Sequence, residues 1–514
     1  MQTEISRTLT TLINLLQAFD WIALTAFSLH HLWLLGMWVR QRHQAPRPAG
    51  TFATLPMVTV QLPTFNERYV ISRLLDAVSK LDYPRDRLEI QVLDDSTDET
   101  TALAAQHVAA LKAQGFQISL LHRQRRGGFK AGALADGLAI AQGEFVALFD
   151  ADFVPPPDFL RRTVHYFTDP SVGMVQTRWG HLNRFDSFLT RAQALMLDGH
   201  FLVEQVARSR SGYFFNFNGS AGIWRKQTIV DSGGWQPDTL TEDLDLSYRA
   251  QLRGWKFRYL PDVVCPAELP SHMSSLKAQQ FRWTKGSIQT AMKLLPSVWR
   301  SDRPLRVKFE CCFHLGNWFH YPLGVLVTLL VLPSLIMSCS PLGTPRSIEE
   351  CRGLAGLLLF STTLLFHLVV QWQVGLPWWS LLTEVPALMA ISVGIAISNS
   401  RAIWEAICGT PSSFHRTPKY NGRWRLATSG YRAHPSGAKW WWTEVGLGIY
   451  VSVAVWYAAA RSLYGAVPFL LPLSIGLLYT GLSSFESPGS FKGKASQPVM
   501  SLGSSELGQL EKVA

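Results

Sequence analysis

The chain has 514 residues, too many for one ordinary domain and enough for about two to four. It is 47% hydrophobic and only 17% charged, against a usual charged share of about 25%, with 19 Trp and a mean hydropathy of +0.08. That excludes a disordered chain and an ordinary soluble protein, and points to a membrane protein with a soluble part. The net charge of +11 fits basic residues gathered in cytoplasmic loops better than a nucleic-acid surface. Six Cys with no CxxC and no Cys/His cluster exclude a disulfide scaffold and a structural zinc site.

Residues 13–38 are almost wholly apolar and long enough to cross a hydrocarbon core at about 1.5 Å per residue. Arg40, Arg42 and Arg47 follow the run, whereas a cleaved signal peptide carries its charge first. The reading for 1–38 is therefore a retained anchor with its N-terminus outside. Asp20, His30 and His31 within it read as polar residues near the interface.

Residues 39–310 contain no run long enough to span and read as a cytoplasmic α/β domain. Apolar segments 57–62, 88–93 and 144–149 alternate with helical patterns at 69–81, 98–113 and 130–141, which predicts a mainly parallel sheet with right-handed crossovers. Ligands of such sheets bind beyond the carboxyl ends of the strands. There lie Pro63-Thr64-Phe65-Asn66-Glu67, Asp94-Asp95-Ser96 and Asp150-Ala151-Asp152. Asp-x-Asp on a turn aims two hard oxygen ligands the same way, suiting Mg²⁺ or Mn²⁺ completed by substrate phosphates. Singly, each such Asp is better read as a turn or N-cap residue; gathered at the strand ends of one sheet, they are better read as a site.

Thr241-Glu242-Asp243 precedes a helical run and reads either as a capping box or as a carboxylate that deprotonates an attacking hydroxyl. Gln279, Arg282 and Trp283 share one helix face. An indole stacks on a pyranose and a guanidinium offsets phosphate, although on spacing alone an amphipathic helix at the membrane surface is the better reading.

Apolar segments return at about 314–337, 354–372, 378–400, 440–460 and 463–482, forming a membrane region over 311–482. Between the third and fourth, 401–439 carries Arg401, Arg416, Lys419, Arg423, Arg425, Arg432 and Lys439 against a single acid, Glu405, so this loop belongs in the cytoplasm. Three crossings would put it outside. Residues 378–400, with Trp378, Trp379, Glu384 and Pro386, are read as an interfacial helix, leaving five spans. Cys339 and Cys351 fall in one outside loop and are read equally as a pair or as free thiols. The tail 483–514 is Ser-, Gly- and Lys-rich and is expected to be disordered.

In order, Asp94-Asp95, Asp150-Ala151-Asp152, Thr241-Glu242-Asp243 and Gln279-x-x-Arg282-Trp283 resemble the D, DxD, TED, QxxRW series of membrane-bound family 2 glycosyltransferases. The likeness is to cellulose synthases and the cellulose-synthase-like glucomannan and xyloglucan-backbone synthases. It runs from about 57 to 300 and takes in Lys130-Ala131-Gly132-Ala133-Leu134 and Phe217-Asn218-Gly219-Ser220-Ala221-Gly222. Phe414-His415-Arg416-Thr417-Pro418-Lys419 resembles the family's gating loop, though it departs from the cellulose synthase form.

The resemblance implies a Rossmann-like, glycosyltransferase A-type domain inserted between about five transmembrane helices. It further implies that Thr64, Asn66, Glu67 and Asp94 or Asp95 hold the nucleotide base and ribose. Lys130 and Asp150 would meet the diphosphate, and Asp150 and Asp152 the metal, Mg²⁺ or Mn²⁺. Asp243 would be the general base, flanked by Thr241 and Glu242. Gln279, Arg282 and Trp283 would form the acceptor platform beside Phe217, Asn218 and Gly219, and Arg416, Thr417 and Lys419 would close over the donor.

The expected activity is inverting, processive polymerisation of a β-linked glucan or glucomannan, with β-1,4 the expected linkage, from UDP-glucose or GDP-mannose, with export through a channel. Expected partners are the nucleotide sugar, the growing glycan, the bilayer and accessory export subunits, without nucleic acid. The location expected is a bacterial inner membrane ahead of a plasma or Golgi membrane. A glycolipid glucosyltransferase acting on ceramide or diacylglycerol is the competing enzyme reading. A transporter or receptor with a degenerate sugar-nucleotide domain would require loss of acids that Asp150, Asp152 and Asp243 retain.

Overall fold

The computed structural model describes residues 2–339, 346–412, 417–422 and 440–485, with side chains omitted for 2–7, 346–349 and 485. Arg416, most of the basic loop and nearly all of the expected disordered tail lie outside the described residues.

The α/β region is built on one seven-stranded sheet in the order β3-β2-β1-β4-β6-β5-β7. Its strands are β1 (Val58–Thr64), β2 (Leu88–Asp94), β3 (Gln117–His122), β4 (Phe145–Leu148), β5 (Val172–His181), β6 (Gly222–Arg225) and β7 (Lys256–Ala267). β3, β2, β1 and β4 run parallel, as crossover helices between short Val- and Ile-rich runs demand. The helices Ile71–Val78, Thr100–Ala113 and Phe129–Ile140 supply those crossovers.

Beyond β4 the sheet departs from the expected pattern. β6 is antiparallel to both β4 and β5, while β5 and β7 pair parallel again. A reversed strand presents its beginning at the edge where its neighbours end. The residues before β6, Asn218 to Ala221, thus meet the turn after β4: the Asp150 N–H donates to Ser220 Oγ at 2.9 Å.

Both faces of the sheet are covered. Val58, Val60, Leu62, Ile90, Val92 and Phe149 pack in one apolar cluster. Leu93, Val146, Leu148, Phe217 and Trp224 belong to a second, which continues through Leu189, Phe201 and Leu276 into the membrane helices at Trp38, Leu315 and Phe366. Domain and membrane region therefore share a core, and their relative position is fixed by side-chain packing.

Six helical segments among the described residues are long and apolar enough to cross a membrane: Thr8–Gln41, Leu305–Ser338, Glu350–Val374, Trp378–Ile407, Trp441–Ala460 and Val467–Ser484. That is one more than the five expected, and the addition is the segment assigned to the interface. Pro386 stays within a continuous helix, Leu381–Ile407, and Glu384 is buried with its carboxylate accepting a hydrogen bond from Gln371 Nε2 at 2.8 Å, so neither interrupts it. This helix packs against Met273–Arg300 and Phe188–Gly199 of the α/β region and also against His320–Ser338 and Val467–Phe485.

His30 is held by an ion pair: its Nε2 lies 2.8 Å from Glu310, which is also bound by Arg208 at 2.7 Å, tying the first helix to the α/β region. Cys339 and Cys351 are free thiols.

Candidate active site

The carboxyl ends of β1, β2 and β4 open onto a cleft of about 200 Å³, which also receives β7, the Glu242–Leu252 helix and the Met273–Arg300 helix. Most of the expected residues line it: Thr64, Glu67, Asp95, Lys130, Asp150, Asp152, Asn218, Gly219, Thr241, Glu242, Asp243, Gln279, Arg282, Trp283, Thr417 and Lys419. The register explains the first group: Thr64 pairs with Asp94, and β4 ends three residues earlier, at Leu148 opposite Gln61, so the turn that follows it lies beside the ends of β1 and β2.

Three expected residues do not reach the cleft. Asp94 is fully buried, and its carboxylate is consumed by the Ser96 N–H at 3.1 Å, Thr101 Oγ1 at 2.6 Å and His122 Nδ1 at 2.9 Å. It fixes the loop after β2, whereas Asp95 lines the cleft and forks with Arg123 at 2.7 and 2.6 Å. Asn66 sits in a left-handed conformation, φ 53°, and its side-chain oxygen accepts the Thr97 N–H at 2.8 Å as a loop clasp. Phe217 is wholly buried against Trp224, so it supports the loop whose next residues face the cleft.

Lys130 organises the centre. Its ammonium donates to Asp150 Oδ1 at 2.6 Å and to the Gly219 carbonyl at 2.8 Å. Burial opposes its charge, but Asp150, Glu242 and Asp243 outweigh that and hold it above the ordinary lysine range. Lys419 Nζ donates to Asp152 Oδ2 at 2.7 Å. One oxygen of each aspartate therefore carries a lysine, and the other has no partner among the described residues. Two such carboxylates from one turn fit a hard divalent cation that takes its other ligands from phosphate and water. No cluster of three or more His, Cys, Asp or Glu ligands occurs among the described residues, so the protein by itself offers no complete cage.

Asp243 stands opposite. Burial and the neighbouring Glu242 raise its carboxyl to about 7, partly offset by Lys130. Its Oδ1 accepts the Leu244 N–H at 2.8 Å. Gly219, at φ +81°, passes so close that a Cβ there would lie 2.8 Å from Asp243 Oδ2. The capping-box reading of Thr241 fails: its hydroxyl makes no cap and meets Thr290 Oγ1 at 3.3 Å instead. A Cβ on Gly286 would fall 2.6–2.8 Å from Thr241 atoms, so the Gln279–Trp283 helix sits directly on the base-bearing turn. Arg282, whose charge burial disfavours, is offset by Glu242, Asp150 and Asp243.

Sequence reasoning missed Arg123, Arg126, Trp179, His181 and Glu268. Arg126 lies 3.5 Å over the Phe65 ring and 3.8 Å from Asp95. The signal for it was the Arg125-Arg126-Gly127-Gly128 run, a basic and glycine-rich stretch of the kind that approaches phosphates. Trp179, His181 and Glu268 come from β5 and just after β7, strands not read from the sequence.

A family described as "Glycosyltransferase like family 2" matches residues 56–286. Glucomannan 4-beta-mannosyltransferase 2 of Arabidopsis thaliana is 38% identical over 352 residues, covering 63% of this chain and 65% of that protein. A probable glucomannan 4-beta-mannosyltransferase 9 of Oryza sativa subsp. japonica is 36% identical over 359 residues, covering 64% and 68%. The match thus spans about two thirds of the length of these relatives. Among solved structures, the mannosyltransferase PcManGT of Pyrobaculum calidifontis, in complex with GDP-Man and Mn²⁺, superposes with a TM-score of 0.54 at 24% identity, covering 77% of this chain and 100% of that one. The shared fold is the glycosyltransferase A type, with a mixed, mostly parallel sheet. The chain belongs to the family 2 glycosyltransferases, of the cellulose-synthase-like type.

Proposed function

We propose that this chain is a processive, inverting β-glycan synthase that transfers mannosyl units from GDP-mannose, alone or alternating with a glucosyl donor, to the end of a β-1,4-linked chain. The observation that carries this reading is the meeting of Lys419 with Asp152, because it joins a segment between two membrane helices to the donor turn. The names of the relatives support mannose, and the donor bound to the archaeal structure supports GDP.

In this mechanism Phe65, Arg126, Thr64, Glu67 and Asp95 seat the nucleoside. Lys130 and Lys419 face the diphosphate from two sides, and Arg282 adds a third cation at the acceptor end. Asp150 and Asp152 would hold Mg²⁺ or Mn²⁺, which when bound stabilises charge developing on the leaving diphosphate. Trp283 and Gln279 orient the acceptor sugar. Asp243 takes the proton from its hydroxyl as that oxygen attacks the anomeric carbon from the face opposite the diphosphate, so an α-linked donor yields a β-linkage.

The same contact bears on topology. Residues 417–422 reach the catalytic cleft, so an even number of crossings separates the two, and one of the three intervening candidates lies in the interface. Trp378–Ile407, packed on catalytic helices, is our assignment, which leaves five spans with the catalytic region in the cytoplasm. The curated relatives are plant proteins, which lends no support to a bacterial inner membrane.

The test uses protein in lipid nanodiscs with radiolabelled GDP-mannose or UDP-glucose and Mg²⁺ or Mn²⁺. Ethanol-insoluble label released by β-1,4-mannanase is the expected product. Label confined to the organic phase would replace this reading with the glycolipid one.

A further inference from the structure

β7 ends at Ala267, and the next residue, Glu268, has a side chain only 5% exposed. A carboxylate so buried requires compensation, since its charge cannot be solvated by water. Its compensation comes from the segment between the membrane helices. The N–H groups of Tyr420 and Asn421 donate to its two oxygens at 2.8 and 3.0 Å. Its own N–H donates to Asp152 Oδ2 at 3.2 Å, and its carbonyl accepts from the Lys419 ammonium.

Arg73, on the Ile71–Val78 helix, closes the arrangement. Its guanidinium donates to Asn421 Oδ1 at 2.7 Å and to the Asp152 carbonyl at 3.1 Å, and lies 3.5 Å from Glu268. Asn421 adopts φ 49°, a left-handed conformation that turns the chain so that its N–H and side chain serve both partners. Thr417, Lys419 and Tyr420 are all buried in this seat.

We propose that Glu268 and Arg73 are positioning residues for the transfer reaction: they seat Thr417–Asn421 on the Asp-x-Asp turn, and so deliver Lys419 to the donor diphosphate. The proposal rests on the donor-site reading above. Neither residue touches the reacting atoms. The seat prearranges a segment that the donor would otherwise have to order for itself, so its loss is read in donor affinity. A purely structural role would instead reduce the active fraction, lowering kcat at constant KM.

The experiment takes the full chain in nanodiscs, as wild type, Glu268→Gln, Glu268→Ala and Arg73→Met. Amide exchange is followed for peptides containing Tyr420 and Asn421 and, as a fold control, Val58–Thr64, together with kcat and donor KM. In Glu268→Ala and Arg73→Met the loop amides should exchange about tenfold faster or more, the order expected for losing a charge-assisted hydrogen bond. The β1 amides should stay unchanged, donor KM should rise by a similar factor, and kcat should hold within about twofold. Glu268→Gln, which keeps one acceptor oxygen, should fall between. Loop exchange at the wild-type rate in every variant overturns the proposal. So does acceleration of loop and β1 together, or a fall in kcat without a KM change. If the exchange result holds but the wild type takes neither GDP-mannose nor UDP-glucose, the seat stands and the donor reading falls.

Discussion

Replacing Gly219 with Ala tests whether Asp243 is at the reacting centre. The new Cβ would lie 2.8 Å from Asp243 Oδ2, about 0.6 Å inside the 3.4 Å at which ordinary contact begins. The carboxylate cannot simply swing away, because its Oδ1 is held by the Leu244 N–H at 2.8 Å. A general base displaced by half an ångström or so loses about ten- to a hundredfold in rate, since misplacement of about 1 Å costs on the order of 10². Backbone strain complicates the comparison, because a left-handed alanine costs about 1–2 kcal/mol. Gly212 supplies the control: it has φ +73° but nothing within 4 Å of a Cβ. Gly212→Ala carries the backbone strain without the clash, so it should lower the melting temperature, though less than Gly219→Ala, while leaving kcat near wild type. The assay is initial rate at saturating donor in nanodiscs, paired with thermal melting. Equal kcat in the two variants would refute the placement of Asp243 as base.

Asp243→Asn should abolish transfer while donor binding remains measurable by calorimetry; turnover in that variant removes Asp243 from the mechanism. Burial and Glu242 raise the Asp243 carboxyl to about 7, and a base acts only when deprotonated. kcat/KM should therefore fall about tenfold per pH unit below that value and level off above it, and a limb in the ordinary carboxylate range near 4 would contradict the assignment. Lys277 and Glu444 form an ion pair at 2.5 Å with both side chains 1% exposed. Lys277→Met should cost about 3–5 kcal/mol by stranding the carboxylate, and adding Glu444→Leu should restore most of it; melting curves that do not separate single from double variant refute this. With Cys339 and Cys351 changed to Ser, the exposed Cys408 should be labelled only from the side that bears the catalytic region, and labelling from the opposite face would overturn the topology.

The donor half of the cleft was legible in the sequence because parallel strands end in its acids. Runs at 57–62, 88–93 and 144–149 correspond to β1, β2 and β4 within two residues at each end. The helical patterns at 98–113 and 130–141 match Thr100–Ala113 and Phe129–Ile140 as closely. What sequence could not decide was which aspartate of Asp94-Asp95 faces the ligand: adjacent residues at a strand end point apart, and only the three-dimensional partners of Asp94 show that it is spent. The acceptor half was legible only by resemblance. It is fed by a reversed strand and by helices with no acid at a strand's end, so alternation carried no signal for it. Glu268 was invisible for a related reason. Its partners are two backbone amides more than 150 positions away in the chain, and backbone donors leave no mark in composition.

The missing room between Gly286 and Thr241 has a consequence for redesign. The helix bearing Gln279, Arg282 and Trp283 and the turn bearing Asp243 touch without space for a methyl group, so they behave as one part. A chimera that imports only the helix from a relative, in order to change the sugar accepted, will carry a clash or a gap at that seam. A chimera that imports residues 239–290 together brings both surfaces of the joint with it, and is the smaller disturbance despite the longer graft.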